Sequence, residues 1–280
     1  MVYFGYFNKS EFSMQRDTKK HSRHLRRRGI YLLPNLFTSL GLFFGFYAIV
    51  AALKGHFDQA AIAIYVGMIF DALDGRIARL TDTASAFGAE YDSLADMVTF
   101  GIAPALVAYS WGLYNLGKVG WLVAFIYAAA TALRLARFNI QIGQVSKRYF
   151  IGLPCPVAAA VIAGMIWTGN TSLEIPGTHI SIIIAIITAF LAVLMVSNVP
   201  FYSFKEIDFK GRVPFVMILI FIVLCVAIAV DPPPVLFVGF FLFTLSGPFT
   251  YLFRRRKKKM MKRYLPVKQQ VTKEKKDDYR

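Results

Sequence analysis

An all-α bundle of membrane-spanning helices, with both termini on the cytoplasmic side, is the fold class this sequence predicts, and three observations predict it. The chain is 56% hydrophobic and only 17% charged, with a mean hydropathy of +0.51, a balance rarely found in a water-soluble domain of this size. Its apolar residues fall into runs of about 20, the length that carries a helix across the hydrocarbon core, where lipid offers backbone amides no outside partner. Its 32 Lys and Arg residues crowd into the two ends and two internal patches, leaving the apolar runs nearly free of charge, the pattern that orients a membrane protein.

Eight spans are expected, near residues 34–53, 57–80, 89–115, 118–141, 152–170, 177–199, 212–230 and 234–253. The basic segment 1–29 before the first span lacks the short apolar core and small-residue cleavage site of a signal peptide, so that span is expected to be retained. The second and third spans meet at a connection from Thr81 to Gly88. The fifth is short and opens with Gly152, Leu153, Pro154, Cys155 and Pro156, a helix start with Pro in the first turn. The last two, within residues 201–253, are joined by the Pro-rich turn at Asp231, Pro232, Pro233 and Pro234. With the N-terminus inside, only Lys54 and Lys118 fall on the outer side, and the connections at 81–88, 141–150 and 202–212 face the cytoplasm.

The basic run Arg254 to Lys259 opens a basic cytoplasmic tail, residues 254–280, of which 263–280 are expected to be disordered. It abuts an apolar span and belongs to no folded nucleic-acid module, so the expected partner is not nucleic acid. Either the basic ends sit against anionic lipid of the inner leaflet or they set topology alone. Cys155 and Cys225 lie in separate apolar runs without metal-type spacing and are expected to be small buried residues. His21, His24, His56 and His179 are scattered over termini and loops and read as surface residues.

Four carboxylates break the apolar pattern where the second and third spans meet the cytoplasm: Asp71, Asp74, Asp92 and Asp96. Ionisable groups at such depth cost a few kcal/mol each on insertion scales and mark function by default. Spacings of three and four put each pair on one helix face, so two facing helices would aim all four at one spot. Carboxylates so placed repel one another unless cations neutralise them, and an all-oxygen set without His or Cys suits Mg²⁺ or Mn²⁺. Two such ions can clamp a diphosphate. Arg76 and Arg79 follow in the same turn, while Gly75 and Ala78 remove side-chain bulk beside them. Charge alone leaves two other readings open: salt bridges from the aspartates to Arg76 and Arg79, or a cation pathway.

The spacing says more. Asp71, Asp74, Gly75, Ala78, Arg79, Gly88, Asp92 and Asp96 fill every fixed position of D-x2-D-G-x2-A-R-x8-G-x3-D-x3-D. This resembles the signature of the CDP-alcohol phosphotransferases, and Pro34, Asn35 and Thr38 resemble that family's P-N-x-x-[ST] at the opening of the first span. The likeness covers residues 30–200, a six-helix family core beyond which the last two spans stand. Within the family, the run Arg134, Leu135, Ala136, Arg137, Phe138, Asn139 and the Gly152 to Pro156 run resemble the serine-using branch.

The resemblance implies transfer of a phosphatidyl group from CDP-diacylglycerol to the hydroxyl of L-serine, with release of CMP. It implies two ions, Mg²⁺ or Mn²⁺, held by Asp71, Asp74 and Asp92, with Asp96 sharing ligation and acting as general base. Asn35, Asp71, Gly75, Ala78, Arg79 and Gly88 would cradle the CDP moiety. Arg134 and Arg137 would receive the serine carboxylate, since a guanidinium matches a carboxylate in a bidentate manner; the plainer reading is headgroup contact by snorkelling. A homodimer in the inner membrane, its site facing the cytoplasm, is also implied. Glycerol-3-phosphate or inositol phosphate as acceptor would need further cations, for which Lys147 and Arg148 are candidates, and a cation transporter using the same carboxylates is the remaining alternative.

Overall fold

Long apolar runs wind into helices because the helix satisfies its own amides, and the computed structural model is helical almost throughout the residues it describes: 33–83, 85–141, 149–202 and 215–251. The segments 1–29 and 254–280, with Lys147 and Arg148, lie outside the described residues. Five helices are long and apolar enough to cross a membrane: α1 (Leu33–Leu53), α3 (Ala86–Trp111), α4 (Lys118–Gln141), α6 (Ser181–Val196, with a 3₁₀ lead-in from Gly177) and α8 (Pro232–Tyr251). Helix α2 (Phe57–Leu80) has 24 residues but carries the charged motif. Helix α5 (Cys155–Trp167) has 13 residues before a π-turn at Thr168–Ser172, and α7 spans Phe215–Val230.

Three of the boundaries that differ from the hydropathy pattern bear on the site and its surroundings. Helix α3 begins at Ala86 rather than 89, because Ser85 caps it by accepting a hydrogen bond from the Gly88 amide at 3.0 Å. Gly88 therefore belongs to the helix and not to the connection. The same helix stops at Trp111, not 115, and the chain continues as a 3₁₀ turn over Leu113–Leu116 that ends at Gly117, whose φ of +57° favours glycine. Helix α5 starts at Cys155 rather than 152: Gly152 has φ +79° and Pro154 is extended, so neither joins the helix.

Close packing rests on small residues, as expected where lipid and side chains are equally apolar and helices gain from backbone approach. Helix α2 packs on α5 and α4 on α6, and the fully buried face of α5 includes Ala158, Ala159, Ala160 and Ala163. Below the motif, Thr99 of α3 wedges between α1 and α2. A Cβ on Gly45 would lie 2.6 Å from Thr99 Oγ1 and one on Gly67 2.7 Å from Thr99 Cγ2, while Thr99 donates to the Gly41 carbonyl at 3.1 Å. Thr99 lies in a π-turn, Met97–Ile102, where the Ala103 amide reaches back to Val98. Such turns add a residue and re-aim side chains; here the fully buried Tyr127 of α4 donates to the Phe100 carbonyl at 3.1 Å.

Besides the helices, two short strands, β1 (Tyr149–Ile151) and β2 (Pro200–Tyr202), pair antiparallel and tie the start of α5 to the end of α6. Of the cysteines, Cys155 is buried as expected, whereas Cys225 is exposed on α7, where an apolar outer surface is the norm for a helix facing lipid. His56 and His179 are exposed.

Candidate active site

Helix periodicity brings Asp71 and Asp74 to one side of α2 and Asp92 and Asp96 to the facing side of α3. Carboxylate oxygens of Asp71, Asp74 and Asp92 lie within 4.8 Å of one another. Asp96, one turn further into the bundle, is within hydrogen-bonding distance of Asp71, and a small cavity touches all four. Two unit charges about 5 Å apart at an effective dielectric near 20 repel by roughly 3 kcal/mol. A set of four is therefore sustained by partners of opposite charge or by protons. Among the described residues no ion pair joins the cluster to Arg76 or Arg79; Arg79 Nε instead donates to the Gly75 carbonyl of its own helix at 2.7 Å. The donor set, all oxygen and mutually adjacent, fits hard divalent cations.

Beside the cluster opens a cleft of ≈ 200 Å³. Five of the six residues expected to cradle the CDP moiety line it, Asn35 from α1, Gly75, Ala78 and Arg79 from α2, and Gly88 from α3, with Asp74 and Asp92 at its inner end; the sixth, Asp71, lines the small cavity behind it. The two glycines serve differently. A Cβ at Gly88 would lie 3.1 Å from Ser85 Oγ and 3.4 Å from Asn35 Oδ1, so glycine there lets α1 close on the cap of α3. At Gly75 only the flexible Arg79 Nη2 comes within 4.0 Å, so packing does not require glycine; the missing side chain leaves bare backbone in the cleft wall.

Several site residues were not legible in the spacing. Thr38, read from the sequence only as part of an opening motif, donates to Asp74 Oδ2 at 2.7 Å, orienting a carboxylate that is 4% exposed. Thr83 and Ser85 add hydroxyls to the cleft. Ser39 and Tyr91 join α1 to α3 through a 2.8 Å hydrogen bond, and Asn139 Nδ2 donates to Ser93 Oγ at 3.1 Å, joining α4 to α3 beside Asp92. Thr38→Val, which keeps shape but removes the donor, is expected to lower turnover roughly ten- to a hundredfold, the weight of a hydrogen bond to a charged group. The thermal unfolding midpoint in detergent should move little.

The two arginines of α4 lie outside the cleft and have separate surroundings. Arg134 Nη1 reaches the Cys155 thiol at 3.6 Å, and its Nε is buried without a hydrogen-bond partner. Helix α4 packs on the Met97–Ile102 π-turn that directly follows Asp96, so Arg134 stands on a helix adjoining the acidic cluster. Arg137 Nη1 donates to the Val196 carbonyl at 3.0 Å and to Asn198 Oδ1 at 3.3 Å, clasping the end of α6.

Fold and site together define an integral membrane protein whose apolar bundle encloses an acidic centre next to an open cleft. The family model described as CDP-alcohol phosphatidyltransferase matches residues 31–197. The chain is 38% identical over 224 residues to the CDP-diacylglycerol–serine O-phosphatidyltransferase of Helicobacter pylori, covering 80% of this chain and 92% of that protein. It is 37% identical over 174 residues to the enzyme of the same name from Bacillus subtilis, covering 62% and 92%, and 42% identical over 147 residues to that of Saccharomyces cerevisiae, covering 48% and 52%. The chain belongs to the CDP-alcohol phosphatidyltransferase family and is an enzyme of the phosphatidyltransferase class.

Proposed function

We propose that this protein transfers the phosphatidyl group of CDP-diacylglycerol to the hydroxyl of L-serine, giving phosphatidylserine and CMP. The observation that carries the reading is the convergence of Asp71, Asp74, Asp92 and Asp96 on one small cavity, with Asp74 and Asp92 shared by the adjoining cleft that Asn35, Gly75, Ala78, Arg79 and Gly88 line. The names of the similar proteins support the substrates.

Asp71, Asp74 and Asp92 would hold two Mg²⁺ or Mn²⁺ ions, with Asp96 sharing ligation. When bound, such ions neutralise the diphosphate and stabilise both attacking and leaving oxygens. The bare backbone at Gly75, the Arg79 guanidinium and Asn35 orient the CDP moiety, and Asp71 faces its diphosphate. Asp96 takes the proton from the serine hydroxyl. The hydroxyl oxygen then attacks the lipid-side phosphorus, the bond to the CMP oxygen breaks, and CMP leaves through the cleft. Positioning and charge neutralisation supply most of the rate, as in phosphoryl transfer generally.

On the acceptor side, Arg134 receives the serine carboxylate: its buried Nε is a donor without a partner, and it stands on a helix adjoining the acidic cluster. Arg137, held by Val196 and Asn198, supports it from the next turn. Arg134→Ala is expected to raise the KM for serine roughly ten- to a hundredfold, the weight of a charge-assisted hydrogen bond, with the KM for CDP-diacylglycerol little changed. An unaltered serine KM would remove this assignment.

The eight helices cross the inner membrane as eight spans, with a six-helix core over residues 30–200 and an added pair over 201–253. Both termini and the cleft mouth face the cytoplasm, where serine and nucleotide are found. Two copies associate as a homodimer, for which small-residue helix faces are suited. The reaction is tested by offering purified protein CDP-diacylglycerol, Mg²⁺ or Mn²⁺, and serine, glycerol-3-phosphate or inositol phosphate separately, and measuring CMP and the lipid product. CMP formed with serine alone is the expected result. Metal uptake into vesicles without CMP release would replace the reading by a transporter.

A further inference from the structure

Helix α8 lies outside the matched domain, which ends at residue 197, yet it is bound into the bundle through glycines. A Cβ on Gly164 of α5 would lie 2.9 Å from the Phe237 Cα of α8. Near the other end of α8, a Cβ on Gly247 would overlap the ring of Phe201, while the Phe243 ring lies 6.0 Å from that of Phe201. Phe201 is among the largest fully buried side chains of the protein. Contact of this closeness between a ring and a glycine leaves neither side free to shift.

Phe201 sits in β2, and the segment just before it carries the acceptor half of the site. Val196 and Asn198 take both hydrogen bonds from Arg137. The Val199 carbonyl accepts from the Gly152 amide at 2.9 Å and the Leu194 carbonyl from the Leu153 amide at 3.1 Å, which together set where α5 begins. The first residue of α5, Cys155, is the one that meets Arg134. Helix α8 also meets α2, where the Phe240 ring lies 6.1 Å from that of Tyr65, but Tyr65 stands ten positions before Gly75, and none of the residues lining the cleft belongs to α8.

We infer that α8 is a positioning element for the acceptor half of the active site, acting through the seating of Phe201 on Gly247. This rests on the acceptor assignment proposed above. It gives the helix added beyond the family domain a function: to hold the 194–201 segment, and through it Arg134 and Arg137, in register with the acidic cluster. Phe201 and Gly247 touch neither substrate.

The test is a bump and its relief. Gly247→Ala inserts a methyl group against the Phe201 ring, and Phe201→Leu in the same chain makes room for it. In Gly247→Ala the KM for serine should rise roughly five- to twentyfold, the scale of a sub-ångström misplacement of a binding group. The KM for CDP-diacylglycerol, and kcat at saturating serine, should stay within about twofold by the same reasoning. The double variant should return towards the parent. An unchanged acceptor KM in Gly247→Ala, a parallel change in both KM values, or a failure of Phe201→Leu to restore the parent value would each overturn the inference. Should Gly247→Ala not fold, Phe201→Leu alone, which only unseats the ring, carries the same expectation. Whichever acceptor the parent protein turns over is the one whose KM is followed, so loss of the serine reading and loss of this inference are separate results.

Discussion

Asp96→Asn is expected to lower phosphatidyl transfer by roughly 10²- to 10⁴-fold, the usual worth of a general base, in a protein that still folds and still binds CDP-diacylglycerol. Asparagine keeps the volume of the side chain and its hydrogen-bonding reach to Asp71 but cannot accept the acceptor's proton. It also removes one negative charge from a cluster in which each close pair repels by roughly 3 kcal/mol, so the fold gains rather than loses from the change. CMP release measures the first quantity; binding of CDP-diacylglycerol and the thermal midpoint in detergent measure the others. Turnover near the parent rate would remove Asp96 as the base and leave it a ligand.

Stripping divalent metal with a chelator should have an effect of similar size. The several kcal/mol that a divalent cation contributes to a phosphoryl transition state correspond to a loss on the order of 10³-fold, restored by Mg²⁺ or Mn²⁺. The acidic cluster adds a second, independent readout. With carboxylate oxygens of Asp71, Asp74 and Asp92 within 4.8 Å of one another, removing their counter-charge leaves the repulsion unrelieved, so the thermal midpoint should fall with the activity and recover with it. A metal-free preparation that turns over at the full rate would end the metal-dependent reading. Asp71→Asn, by lowering the charge, should narrow the gap in thermal midpoint between the metal-free and metal-loaded protein while leaving activity low in both.

The parts of this site that could be read from the chain are those governed by local periodicity. Asp71 and Asp74, three apart on α2, and Asp92 and Asp96, four apart on α3, must share helix faces whatever the rest of the molecule does. Helix α2 runs from Phe57 to Leu80 because a long apolar stretch bounded by a polar turn has no other way to satisfy its amides in lipid. Gly75, Ala78, Arg79 and Gly88 as one set were implied by the resemblance to the family signature, and they meet in one cleft. The start of α3 was less legible, since hydropathy does not register the cap that Ser85 supplies.

What hydropathy and spacing left open are contacts between residues far apart in the chain. Thr38 reaches Asp74 across 36 positions, and the wedge of Thr99 between Gly45 and Gly67 depends on a π-turn that no residue pattern announces. Arg134 and Arg137, alike in the sequence, diverge because one turns toward Cys155 and the other toward the end of α6. By itself, then, the sequence determined that this is an apolar helical bundle with four carboxylates paired on two helix faces, because charge burial and helical period act over a few residues. The tertiary structure alone decided which hydroxyl orients Asp74, which groups Arg134 and Arg137 each meet, and that Phe201 packs against Gly247 of α8. Those outcomes turn on where whole helices dock, and docking in a membrane is settled by small-residue contacts too distant in sequence to leave a local pattern.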